Sequence, residues 1–211
     1  MEFLAPDLDA YVVAHTDAEP TLLKELNRDT NLNVLYPRML SGHLQGRVLS
    51  MMSKMIAPKR ILEIGTYTGY SAICLAEGLQ ADGKLYTVDI NEELETMVRS
   101  YFAKAQIEEQ IDFRIGPALE IIPQIDDQFD MVFIDADKEN YSNYFDLVID
   151  RVTPGGFIIA DNVLWSGKVT EENADRETEA LKSYSKKIHL DDRVENVLFP
   201  VRDGLMVARK R

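Results

Sequence analysis

Cysteine is almost absent: Cys74 is alone in 211 residues, so no disulfide can form within the chain. It falls among Ile73, Leu75 and Ala76, with no histidine or second cysteine at metal spacing, and reads as a small core residue. Histidine is nearly as scarce, and His15, His43 and His189 are too scattered to form a metal set. No apolar run approaches the ~20 residues of a membrane span. The first residues, Met-Glu-Phe-Leu-Ala-Pro-Asp-Leu-Asp, lack the basic-then-apolar order of a secretory signal. These absences point to a cytoplasmic protein without a membrane partner. Positive charge is also short: 23 Lys and Arg face 36 Asp and Glu, a formal net charge of -13. Such a surface repels nucleic acid and anionic lipid, which disfavours both as partners. The basic run Arg209-Lys210-Arg211 is too short to reverse this.

The chain has no internal repeat, no low-complexity tract and no linker, so a single domain over 1–211 is expected. Residues 1–57 read as a helical segment. Pro20 opens one helix with Leu22, Leu23 and Leu26 on its apolar stripe. Ser41 is placed to cap another, with Leu44, Val48, Leu49, Met52 and Met55 at helical spacing. The group Met51, Met52 and Met55 reads as core or interface packing.

Residues 58–211 alternate strand with helix. Strands are expected at 60–64, 84–89, 111–115, 129–134 and 156–160. Helices are expected near 69–80, 91–107, 117–122, 141–150 and 174–188. Two final strands, 193–199 and 205–209, flank the turn Pro200-Val201-Arg202-Asp203-Gly204. The pattern predicts an α/β fold: a mostly parallel sheet with helices on both faces and an antiparallel edge.

Four of the apolar runs end in an acid: Glu63, Asp89, Asp135 and Asp161. Short β-branched runs of this kind are strands buried on both faces. Ligands of open α/β sheets sit beyond the carboxyl ends of the strands, so four acids are predicted to converge there. Between the first strand and its helix lies Glu63-Ile64-Gly65-Thr66-Tyr67-Thr68-Gly69-Tyr70-Ser71. Gly65 suits a tight turn and close backbone approach, and Gly69 opens the helix. The spacing is neither G-x-G-x-x-G nor a P-loop, and Glu63 repels phosphate but attracts an amine or sulfonium. Asp89 stands where nucleotide folds place a ribose-binding acid; it reads alternatively as the cap of the next helix. Together these residues suggest a nucleoside without phosphates, and S-adenosylmethionine fits.

Asp135, Asp161 and Asn162 offer two carboxylates and an amide oxygen. That donor set suits a hard divalent cation, magnesium first, then manganese or calcium. Lys138 is a candidate general base, or a positive stabiliser of a phenolate. Trp165, the only tryptophan, reads as an aromatic wall for a flat substrate or as ordinary packing.

Three motifs in order, Glu63 to Ser71, Phe133-Ile-Asp-Ala-Asp-Lys138 and Asp161-Asn-Val-Leu-Trp165, resemble the cation-dependent class I O-methyltransferases, the caffeoyl-CoA and catechol enzymes. The resemblance spans roughly residues 36–211. It implies a Rossmann-like sheet of seven strands with the last reversed, commonly in a homodimer. It implies S-adenosylmethionine contacts at Ser41, Glu63, Gly65, Thr66, Ser71, Asp89, Ala118, Asp135 and Asp137. It assigns Asp135, Asp161 and Asn162 to the metal and Lys138 to the base. Met39, Tyr67 and Trp165 fall at substrate-side positions. Two departures stand out. Val197 lies near the place where catechol enzymes carry a glutamate, and Arg202 stands where the caffeoyl-CoA branch usually has glycine, at a substrate rim or interface. A small aromatic acceptor is the expected substrate, with a hydroxyuridine of transfer RNA as the alternative. A non-catalytic ligand-binding protein on the same fold is a third reading.

Overall fold

The computed structural model describes residues 4–211. The apolar runs become β1 (Arg60–Ile64), β2 (Lys84–Asp89), β3 (Ile111–Ile115), β4 (Phe129–Ile134) and β5 (Val152–Ala160). β6 (Val194–Phe199) and β7 (Leu205–Lys210) follow. They form one sheet in the order β3-β2-β1-β4-β5-β7-β6. Pairs among β1 to β5 are parallel, while β7 runs antiparallel to both β5 and β6. Strand order reverses about β1, so β1 and β4 diverge toward opposite halves of the sheet, the place where open α/β sheets bind ligands.

Among the described residues, eight α-helices surround the sheet: α1 (Pro6–Ala14), α2 (Thr21–Asn33), α3 (Gly42–Ile56), α4 (Tyr70–Ala76), α5 (Glu95–Lys104), α6 (Ala118–Ile121), α7 (Tyr141–Val148) and α8 (Arg176–Leu190). Alternate residues of the central strands face different cores. Ile61, Met131, Phe133 and Ile159 pack with Leu23, Leu49, Ile73 and Phe102 from α2 to α5. Leu62, Ile64, Val132 and Ile158 pack with Phe145, Leu181 and Tyr184 from α7 and α8. Each fully buried side chain of this size contributes about 1.5–3 kcal/mol. Both strand faces are therefore apolar, which is why no polar alternation shows in the sequence. Among the described residues, no helix is long and apolar enough to cross a membrane.

Several boundaries differ from expectation. α4 stops at Ala76 rather than near residue 80, because Gly78 lies against the Ser53–Lys54 backbone, where an added Cβ would sit 2.2 Å away. The helix expected at 91–107 starts as a 3-10 turn at Glu92–Leu94. Asn91, not Asp89, caps that turn, its side chain accepting the Glu93 N–H at 3.0 Å. β5 begins at Val152, four residues earlier than expected, through a register shift against β4. Ser41 is helical and makes no side-chain cap. α3 buries the predicted stripe only in part: Leu49 is in the core, Leu44, Val48 and Met52 are half-buried, and Met55 is exposed. Its buried residues are Gln45, Gly46, Leu49, Ser50 and Ser53, while Met51 and Met55 are exposed. The cause is close packing on α4. A Cβ at Gly46 would stand 2.6 Å from the Tyr70 ring and 2.9 Å from Cys74 Sγ, so only glycine fits at that point of the face.

Candidate active site

A cleft of about 1950 Å³ opens over the carboxyl ends of β1, β2, β4 and β5. Seven non-glycine residues among those described adopt positive φ, and five of them line it: Tyr67, Asn162, Trp165, Ser166 and Arg202. Left-handed backbone costs energy for residues with a side chain and concentrates where a site must be shaped.

One half of the cleft is built by the loop after β1. Gly65 has φ 100°, and a Cβ there would come within 1.9 Å of the Asp135 carbonyl oxygen. Only glycine lets the β1 and β4 ends meet. Tyr67 at φ 50° donates its backbone N–H to Asp89 Oδ2 at 2.6 Å, and Asn91 N–H donates to Oδ1 at 2.8 Å. Each carboxylate oxygen keeps a further lone pair for a hydroxyl. The Tyr67 hydroxyl donates to the Tyr36 carbonyl at 2.9 Å, tying this loop to the segment before α3. Glu63 is fully buried. Thr87 Oγ1 donates to its Oε2, and Thr66 is hydrogen-bonded to Thr87 in turn. Glu63 Oε1 has no partner. Burial, reinforced by the charges of Asp135 and Asp89, pushes the Glu63 carboxyl up to about 8, against the pull of the Ser71 and Thr87 hydroxyls.

The other half is held together by charge. Lys138 is buried, and its Nζ donates to Asp135 Oδ1 at 3.0 Å, Asn162 Oδ1 at 2.8 Å and the Tyr141 hydroxyl at 2.7 Å. All three ammonium protons are thus used. The Tyr141 hydroxyl in turn donates a hydrogen bond to the Asp161 carbonyl at 3.0 Å. Nζ also lies 4.9 Å from the centre of the Tyr141 ring and 5.6 Å from that of Trp165. Asp161 is 1% exposed. Burial first, then the Asp135 charge, pushes its carboxyl up to about 7. Its Oδ1 accepts the Asn162 N–H at 2.7 Å, and its Oδ2 accepts the Gln45 side-chain N–H.

The remaining expected residues fall around this cleft. Met39, Ser41, Ala118, Asp137 and Trp165 line it, whereas Glu63, Thr66 and Ser71 are buried outside its wall. Asp137 is held by the Tyr144 hydroxyl and the Asn140 amide. Trp165 Nε1 is buried without a partner. Sequence reasoning missed Gln45, Thr87 and Tyr141. Gln45 left one trace, a polar residue inside an apolar helix, and Tyr141 another, its position one helical turn after Lys138.

A Rossmann-like sheet with donors gathered at its carboxyl edge defines a class, and comparison with known proteins agrees. The O-methyltransferase family profile matches residues 13–211. The chain is 36% identical over 205 residues to a caffeoyl-CoA O-methyltransferase of Petroselinum crispum, covering 91% of this chain and 85% of that one. It is 37% identical over 206 residues to caffeoyl-CoA O-methyltransferase 2 of Eucalyptus globulus, covering 91% and 83%. Among solved structures, the SAH-bound methyltransferase of Podospora anserina superposes with TM-score 0.90 at 27% identity, covering 97% and 94% of the two chains. The O-methyltransferase of Bacillus cereus in complex with SAH gives TM-score 0.87 at 29% identity, covering 97% of each. The chain belongs to the O-methyltransferase family and is an S-adenosylmethionine-dependent O-methyltransferase. Within the family its similarity is to the caffeoyl-CoA type.

Proposed function

We propose that this enzyme methylates one hydroxyl of a small vicinal-dihydroxy aromatic and needs a divalent cation to do so. The observation that carries the reading is the buried Asp161 and the half-buried Asp135, joined by the Asn162 amide oxygen and faced by a single ammonium, Lys138. The elevated Asp161 carboxyl marks a place short of positive charge. Two carboxylates and an amide oxygen fit magnesium or manganese, with calcium a third choice. Asp135, Asp161 and Asn162 would hold the ion. When bound, it supplies Lewis acidity toward the acceptor oxygens.

The chain's own residues supply the rest. Asp89, with free lone pairs, is the acid that faces the cleft for S-adenosylmethionine, and Glu63, with its unpartnered Oε1, stands buried behind that wall and supports the loop that receives the ligand. Gly65, Thr66, Ser71, Ser41, Ala118 and Asp137 complete that side. As the ammonium that donates three hydrogen bonds, Lys138 steadies the acceptor oxygen's charge as that oxygen takes the methyl group and the cofactor sulfur leaves as a neutral thioether; as a base it would first release one of those protons to solvent. Met39, Tyr67 and Trp165 bound the aromatic ring. Most of the acceleration then comes from alignment and electrostatics.

The charge of the cleft bears on the acceptor. Nine acidic side chains line it against four basic ones. Lys138 is committed to the acids, and Lys168 is paired with Asp175 at 2.9 Å. That lining favours an uncharged or cationic catechol over a polyphosphate thioester or RNA. A homodimer in the cytoplasm is part of the same proposal, with exposed Leu32, Leu35, Met51 and Met55 available for an interface. Sedimentation showing a 24.0 kDa species at micromolar concentration would overturn the dimer.

The deciding experiment measures methyl transfer from S-adenosylmethionine to catechols, caffeoyl-CoA and hydroxyuridine RNA, with magnesium and with EDTA. Transfer to a catechol that stops in EDTA and returns with magnesium supports the reading. Undiminished transfer in EDTA overturns the metal requirement, and a preference for RNA overturns the acceptor.

A further inference from the structure

Asp161 is gripped from a direction the proposed reaction does not explain. Its Oδ2 accepts a proton of Gln45 Nε2, and Gln45 is itself only 2% exposed. Gln45 lies in the first turn of α3, 116 residues away in sequence. Its other end is held too: Gln45 Oε1 accepts Arg202 Nη1 at 3.0 Å. The same Nη1 donates to the Ser41 carbonyl, just before α3. Arg202 sits at φ 48° in the turn between β6 and β7.

The chemistry fixes this chain in one direction. A carboxylate only accepts hydrogen bonds, and a guanidinium only donates them. The amide between them must therefore present its NH₂ to Asp161 and its oxygen to Arg202; reversed, it would set oxygen against carboxylate and NH₂ against guanidinium. With Oδ1 held by the Asn162 N–H and Oδ2 by Gln45, the carboxylate cannot turn in its pocket. Second partners of this kind orient metal-ligating side chains in other proteins.

We propose that Gln45 and Arg202 form a clasp that sets the orientation of Asp161 for cation binding, with Arg202 acting only through the Gln45 amide. Both are positioning residues, since neither is placed on substrate or ion. The clasp rests on the reading of Asp161 as a cation ligand. It also ties three separate segments together at that ligand: the start of α3, the end of β5 and the β6–β7 turn.

The test titrates Mn²⁺ into the full chain saturated with S-adenosylhomocysteine, by calorimetry. Four variants are compared with the parent: Gln45→Leu, Arg202→Gly, Arg202→Lys and the double variant. Glycine adopts the positive φ of position 202 without strain, so Arg202→Gly tests the side chain while sparing the fold. Both Gln45→Leu and Arg202→Gly are expected to weaken Mn²⁺ by about 10-fold to 100-fold, the range for outer-shell partners of a metal site. Arg202→Lys is expected to recover part of the loss. The double variant should be no weaker than Gln45→Leu, because Arg202 has no other route to the ion. S-adenosylhomocysteine affinity should change less than about threefold in Arg202→Gly, and the Mg²⁺ KM should rise more than kcat falls. Two results overturn the clasp while leaving the proposed function standing: Mn²⁺ affinity within twofold of the parent in both single variants, or losses that multiply in the double variant. If the parent itself binds no Mn²⁺ and transfers methyl groups in EDTA, the proposed function fails, and the clasp fails with it.

Discussion

The two halves of the cleft solve the same problem, holding one buried and one half-buried acid each, by opposite means. On the β1–β2 side, Asp89 rests on two backbone amides and Glu63 on a chain of threonine hydroxyls. Among the described residues no cation pairs with either acid. On the β4–β5 side, a lysine and, through a glutamine, an arginine converge on Asp135, Asn162 and Asp161. Neutral donors can be set once by a rigid loop. Charged ones must balance one another, and a cation entering the second half would change that balance while leaving the first almost untouched. The halves are therefore expected to fail separately.

The largest separation is expected for Asp161→Ala. Methyl transfer with magnesium should fall more than about 100-fold, beyond the loss typical of an outer-shell partner. S-adenosylmethionine affinity should stay within about threefold. The variant should remain folded, because removing one of two facing carboxylates relieves repulsion. Thermal melting, calorimetry and a methyl-transfer assay on one preparation decide the matter; parallel loss of cofactor binding would merge the halves into one.

Lys138→Ala should lower kcat by about 10²-fold, the scale of a lost general acid–base group. Cation affinity should hold or tighten, since the competing ammonium is gone. A weakened cation would mean that Lys138 organises the acids rather than serving the acceptor.

Asp89→Ala probes the other side. S-adenosylmethionine should bind about 1.5–3 kcal/mol more weakly, the scale for hydrogen bonds to a charged group. At saturating cofactor, the magnesium requirement should be unchanged. Equal binding by a folded variant would remove Asp89 from the site.

The smallest effect concerns Glu63 and pH. Its folded carboxyl titrates near 8 against 4.5 for a free glutamate. Between those values the folded chain holds a proton that the unfolded chain has released, so stability falls as pH rises. The contribution between pH 7 and 8 is about 1 kcal/mol, and Glu63→Gln should remove it. Melting curves of parent and variant that fall in parallel across that window would show Glu63 ionised in the ligand-free chain.

What the sequence disclosed follows the same division. Gly65, Tyr67 and Asp89 were legible because a turn, a strand end and a following helix lie within one continuous stretch, where chain geometry alone places them. Strand ends at Glu63, Asp89, Asp135 and Asp161 were legible because buried parallel strands leave an unbroken apolar run that stops abruptly. Gln45 was not, and Arg202 stood out only as a departure without its partner, since Gln45 meets Asp161 across 116 positions and Arg202 meets Gln45 across 157, and no local period records such meetings. α3 misled only in part, for a related reason: its inner face, with Gly46 against the Tyr70 ring and Cys74, buries Gln45, Ser50 and Ser53 beside the expected Leu49 and leaves Leu44, Val48 and Met52 half-buried and Met55 exposed.

The position of β7 between β5 and β6 bears on how the enzyme is made. As the chain leaves the ribosome, the first five strands can assemble in parallel while the outer edge of β5 stays open. Its partners are Met206 to Arg209, so everything from Asp161 to Gly204 must be synthesised first. β6 emerges before β7 yet must wait outside it. Through that interval Phe157 to Ala160 present an apolar, unpaired edge, the kind of surface that joins chains to one another. The strand that closes this hazard enters through the turn that bears Arg202. The nascent protein therefore loses its exposed edge and receives its last hold on Asp161 in a single late docking step, and chains caught before it would be at once inactive and prone to aggregate.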